Sequence, residues 1–160
     1  MIDTPPIVFS EWVPWHERGR LKTADGQPSM GIYLWARFAD GQRPTGRPYP
    51  ELPVELIYVG ETNDLNDRPL GAGGQRHHRL RHYATRFPKD HGYRYLYISV
   101  FHVHRFRRRD KHCNALRAFT RYVEDLIYWE YTRRFDERPA LDYKTGKEPK
   151  TKGTKDDVVD

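Results

Sequence analysis

The chain has 160 residues, 28 Lys and Arg against 22 Asp and Glu, and a formal net charge of +6 at pH 7. That length suits one domain with a real core rather than two marginal ones, and the basic balance, accompanied by eight histidines and interleaved aromatics, points to a polyanionic partner. A single cysteine, Cys113, excludes a disulfide framework or a thiolate zinc site within one chain, and no apolar run approaches the ~20 residues of a membrane span.

Residues 1–29 read as an N-terminal extension punctuated by Pro5, Pro6, Pro14 and Pro28, in which Ile7, Val8 and Phe9 can add an edge strand and Trp12 and Trp15 cap part of the core. Residues 30–38 alternate as a strand, with Ile32, Leu34 and Ala36 on one side and Tyr33, Trp35 and Arg37 on the other. A proline- and glycine-rich stretch, 40–53, reads as a surface insertion, and 55–61 as a second strand antiparallel to the first. Thr62-Asn63-Asp64 is a helix start signal, cut short by Pro69. A loop follows over 70–74, and a helix over 75–87 carries the apolar stripe Leu80, Tyr83, Ala84 and Phe87. Residues 93–104 alternate as a third strand, 105–111 form a basic turn, and 115–135 a long helix apolar at Leu116, Phe119, Val123, Leu126 and Ile127. The last residues, 144–160, have the composition of a disordered tail. The order strand, strand, helix, strand, helix predicts a small α+β domain, with helices flanking a three-stranded antiparallel sheet.

Three features carry chemistry. Gly31-Ile32-Tyr33 and Tyr58-Val59-Gly60 each place a phenol beside a glycine, where the backbone can be approached closely. Glu130 falls four residues after Leu126 and seven after Val123, on the apolar stripe of the long helix, where ionisation requires a cation or a donor. Glu124 falls on the polar side near Arg121, as a surface ion pair would. Arg76, His77, His78, Arg81 and His82 cluster on the middle helix; without a third patterned ligand they read as a DNA-facing set rather than a zinc site.

Taken in order, these elements resemble the GIY-YIG nuclease family over about residues 30–143, with loop spacing nearest its restriction-endonuclease members. The resemblance implies a divalent-metal-dependent DNA endonuclease using Mg²⁺ or Mn²⁺ and no other small-molecule cofactor, cytoplasmic and nucleoid-associated, with no membrane partner. It implies catalytic roles for Tyr33, which positions the attacking water, and Tyr58, with Gly31 and Gly60 in support. In that family a metal-binding Glu precedes a Pro by nine positions and an Asn by twelve. Glu130 stands in that relation to Pro139 and Asp142, so the resemblance assigns the metal to Glu130 and a supporting role to Asp142. The arginine has two candidates. Arg68 has the compact-family spacing from Tyr58, whereas Arg79, with Tyr83 four residues on, has the better helix context and is preferred. Two departures, Glu61 where many members have Lys and Asp142 in place of Asn, keep open a second reading, a catalytically silent nucleic-acid-binding module of the same fold.

Overall fold

The computed structural model describes residues 6–39, 42, 44, 46–105 and 113–141. The basic turn at 106–112, Asp142 and the tail lie outside the described residues. A four-stranded antiparallel sheet has the order β1-β4-β2-β3, built from β1 (Val13–Pro14), β2 (Ser29–Arg37), β3 (Leu56–Thr62) and β4 (Leu96–Arg105). Two α-helices, α1 (His78–Arg86) and α2 (Cys113–Phe135), join short 3-10 helices at Trp15–Leu21 and Ala72–Arg76. The sheet thus has four strands rather than three. The fourth is not the expected Ile7–Phe9 run but Val13–Pro14, paired with Ile98 and Tyr97. Pro14 lacks an N–H for a further ladder, which confines such a strand to an edge.

β2 is the central strand, and its alternation supplies two apolar faces. Tyr33 and Trp35, with Ile57, Ile98 and Val100, pack under α1 residues Leu80 and Tyr83. Ile32 and Leu34, with Val59 and Phe101, pack under α2 residues Val123, Ile127 and Tyr131. The sheet is therefore covered on both sides, and seven successive β2 residues from Met30 to Ala36 are buried. In β3 the bulge opposite Trp35 and Ala36 leaves Ile57 as the extra residue, and its carbonyl accepts the Leu141 N–H at 2.7 Å. The chain after α2 is thereby tied back to the edge strand.

The insertion is not purely superficial. Leu52 is buried beside Leu56, Tyr49 packs on Phe9, and Arg47 donates to the Phe9 carbonyl at 2.8 Å. The expected helix from Thr62 is instead a series of turns: the Asp64 carboxylate accepts the Asn66 and Ser29 amides, and Arg68 N–H bonds the Asp64 carbonyl at 2.9 Å. Among the described residues no helix is long and apolar enough to cross a membrane.

Candidate active site

The site is built around Tyr33. It lies directly opposite Gly60 in the β2–β3 pairing, its ring is buried between Trp35 and Tyr58, and its hydroxyl meets the His77 ring at 2.5 Å. Directly paired residues project to the same face, so a side chain at position 60 would compete with the phenol. Gly31 is needed for another reason: a Cβ there would meet the Phe101 carbonyl oxygen at 2.2 Å and Leu65 at 2.4 Å. Each glycine of the two short motifs therefore relieves a specific steric conflict.

His77 is the N-cap of α1, with extended backbone and its Nδ1 accepting the Arg79 amide at 3.1 Å. An imidazole that accepts at Nδ1 carries its proton, when neutral, on Nε2. His77 Nε2–H therefore donates to the Tyr33 oxygen. The ring stays neutral: burial, and then the positive neighbours His78, Arg68 and Arg79, lower its pKa to about 3. Tyr33 is driven the other way. Burial pushes it well above the usual tyrosine range, and Tyr58, through charge and a hydrogen bond, and Glu124 add to that, while Arg68 opposes it. In the resting protein the pair is a neutral phenol on a neutral imidazole.

Tyr33 closes one side of a cleft of about 260 Å³ that Glu61, Asn63, Arg68, Arg117 and Arg121 also line. Arg121 Nε pairs with Glu61 at 3.3 Å, and Arg117 donates to the Asn63 side-chain oxygen at 3.2 Å. Arg117, Arg121 and Glu124 follow at i, i+4 and i+7 on α2 and so share one flank of that helix. Glu61 is thus paired with an arginine from the facing helix.

The sequence-predicted residues divide between several places. Tyr33, Tyr58, Arg68 and Arg79 converge: the Arg79 guanidinium lies 5.4 Å from the Tyr58 ring centroid and donates to His82 Nδ1 at 3.1 Å. Arg76, His78 and Arg81 are exposed beside them, His82 is half-buried, and His77 is buried and belongs to the tyrosine pair rather than to the surface. Tyr83 is fully buried in the α1 core, and its hydroxyl is given to the Asp90 carboxylate, whose oxygens also accept the Arg94 and Tyr95 amides. Burial and Asp90 push that phenol up, so Tyr83 fixes the 90–95 turn and does not accompany Arg79.

Glu130 lies on the opposite flank of α2 from the cleft. It is half-buried near Tyr49, whose pKa is raised by burial and then by the Glu130 charge. Six helical positions separate it from Glu124, about 120° around the axis at ~3.6 residues per turn. Of the two α2 carboxylates it is Glu124 whose charge adds to the upward shift of Tyr33, as the smallest of its causes, after burial and Tyr58. Among the described residues no three His, Cys, Asp or Glu side chains form a group able to hold a metal by themselves. A single carboxylate still fits Mg²⁺, which keeps several waters and takes its other oxygens from substrate phosphates.

Sequence reasoning missed His77 as a cap and the α2 flank. The signal for the flank was present as Arg117, Arg121 and Glu124 at helical spacing, while a histidine before a helix is not among the usual capping residues. The chain matches no family model, and no curated protein or solved structure is significantly similar to it.

Proposed function

We propose that the protein is a divalent-metal-dependent DNA endonuclease of the GIY-YIG type, hydrolysing phosphodiester bonds at the Tyr33 cleft. The observation that carries this reading is the convergence there of a phenol bonded to a neutral imidazole, three guanidinium groups and a nearby carboxylate. Phosphodiester hydrolysis needs an oriented water, charge on the phosphate offset in a fixed geometry, and a stabilised leaving oxygen.

Arg68 offsets charge on the scissile phosphate. Tyr33 orients the attacking water through its oxygen; because the phenol resists ionisation, it acts as a positioned hydrogen-bonding group rather than a standing phenolate. His77 Nε2–H, already donated to that oxygen, holds the phenol in place, and the proton of the attacking water passes to solvent, because a neutral phenol bonded to a neutral imidazole N–H cannot keep it. Glu124, not Glu130, would hold the divalent cation, which supplies Lewis-acid stabilisation to the phosphate and the leaving oxygen. The exposed groups Arg76, at the end of the preceding 3-10 helix, and His78 and Arg81 of α1 position the DNA backbone without reading sequence.

Incubation with supercoiled plasmid and Mg²⁺ or Mn²⁺, with and without chelator, tests this directly. Nicking by the parent protein, suppressed by chelator, is expected. Glu124→Gln should lower the rate by about 10²-fold or more, the loss that follows removal of a preorganised charge contact, while Glu130→Gln stays near the parent. DNA binding without metal-dependent nicking would replace this reading by the silent binding module; loss in Glu130→Gln with Glu124→Gln unaffected would return the metal to Glu130.

A further inference from the structure

The cleft is larger and more positive than one scissile phosphate requires. Its 260 Å³ corresponds to about nine water volumes at ~30 Å³ each. It carries three arginines against one glutamate, and one of them, Arg68, stands with Tyr33. The other two come from α2, four residues apart, so their Cα atoms are separated by about 6 Å along the helix axis. From the geometry of this second pair we infer that Arg117 and Arg121, with Asn63, form a subsite for the phosphate adjacent to the one being cut, so that the ligand of the cleft is a polynucleotide strand with successive phosphates rather than an isolated phosphate. The inference rests on the nuclease reading for which phosphate is attacked, but the subsite is a matter of binding alone.

The present partners of both guanidinium groups can be exchanged for a phosphate. Arg121 and Glu61 are 65 % and 31 % exposed at the side chain, and a surface pair of this kind contributes at most about 1 kcal/mol. Arg117 donates to an exposed amide oxygen, while its Nε is buried with no hydrogen-bond partner among the described residues. A phosphate offers both groups a charge-assisted acceptor, the stronger type of hydrogen bond, and Arg presents the fork that such an anion matches. Asn63 begins the turns that carry Arg68, so a strand lying on Arg117 and Arg121 is delivered toward Tyr33 from the α2 side.

The test uses a fluorescently labelled single-stranded thymidine oligonucleotide, with anisotropy read in chelator so that no cleavage intervenes. The Arg117→Ala/Arg121→Ala double variant should bind ~10–100-fold more weakly at low salt, and its log affinity against log salt should be shallower by about two phosphate contacts. Arg117→Lys/Arg121→Lys keeps both charges and should retain the parent slope, which separates lost contacts from a damaged fold. Arg133→Ala, on the same helix but stacked on Trp129, should leave affinity and slope unchanged. An unchanged slope in the double alanine variant, or an equal loss in Arg133→Ala, would overturn the subsite. So would inorganic phosphate displacing the oligonucleotide at matched phosphate concentration. Metal-dependent nicking is measured separately: nicking with an unchanged slope sinks the subsite and leaves the nuclease, while a reduced slope without nicking does the reverse.

Discussion

Tyr33 and Gly60 face each other across β2 and β3, and the Tyr33 ring occupies the volume that a Cβ at position 60 would need: such an atom would lie 2.4 Å from the ring Cζ and 2.6 Å from the hydroxyl oxygen. The two short motifs of the sequence are therefore one object. The tyrosine of the first is admitted by the glycine of the second, and the hydroxyl is thereby set against His77.

Gly60→Ala follows as a test of that coupling. The added methyl meets a rigid ring held between Trp35 and His77, so the cost is that of overpacking, about 1–3 kcal/mol by chemical denaturation. Because the phenol must move, cleavage should fall by ~10²-fold even where the protein remains folded. Gly19→Ala is the control, since a Cβ there meets nothing within 4 Å. Activity retained in Gly60→Ala would mean that the Tyr33 position is not what the reaction requires.

His77 yields a prediction in pH. Its folded pKa of about 3 is below the unfolded value of 6.5, so the unfolded chain binds the proton more readily between them. Stability from this group is complete above about pH 6.5 and is lost progressively as pH falls toward 3, up to about 5 kcal/mol in all. His77→Asn retains a capping side chain and removes the titration. Denaturant midpoints followed downward from neutral pH should fall less in His77→Asn than in the parent. Parallel profiles would show that the ring is not held neutral. Activity should also fall in this variant at neutral pH, because the Nε2–H donor to Tyr33 is gone.

Short apolar runs rich in β-branched and aromatic residues made β2, β3 and β4 legible. The residues of β2 and β4 sort between the two cores as alternation dictates, while in β3 the bulge sends Ile57 to one core and Val59 to the other. The edge strand was not legible, since Val13–Pro14 offers no period and its place is set by long-range bonds. Ser10 N–H donates to the Val100 carbonyl at 2.8 Å, and the Ser99 hydroxyl to the Ser10 carbonyl at 2.6 Å. On α2 the helix was legible but its phase was not. Counting Leu126 as core and passing over Thr120 rotates the apolar stripe toward Glu130. In fact Leu126 is half-buried, whereas Thr120 is buried, with its hydroxyl returned to the Leu116 carbonyl at 2.8 Å. With the stripe centred on Leu116, Thr120, Val123, Ile127 and Tyr131, Glu124 falls on the flank that carries Arg117 and Arg121.

The same limitation bears on the choice of arginine. By sequence Arg68 stands between a short turn and a glycine-rich loop, which favours Arg79 as the better-fixed group. The structure supplies what local reading lacked. Asn66, buried, accepts the Thr23 amide at 3.0 Å and donates to the Thr23 hydroxyl and the Gln27 carbonyl, both at 2.6 Å. Arg18, from the 3-10 helix of the N-terminal extension, donates to the Pro69 carbonyl at 3.1 Å. The loop is thus held on both sides of Arg68 by residues forty or more positions away, and Arg68 lines the cleft with Tyr33. Arg79 is fixed too, but over the Tyr58 ring and on His82. On the proposed nuclease reading, a group that offsets developing charge must sit on a fixed element and face the phosphate, and the held loop and its place in the cleft favour Arg68. Single-turnover cleavage should therefore fall by about 10²–10³-fold in Arg68→Ala and by distinctly less in Arg79→Ala, whose effect passes through Tyr58. Tyr83→Phe should leave the rate unchanged and lower stability by about 1–3 kcal/mol, because the Asp90 carboxylate loses one of its buried donors. A larger rate loss in Arg79→Ala than in Arg68→Ala would place the scissile phosphate on the α1 side of Tyr58 and move the water-activating role from Tyr33 toward that ring.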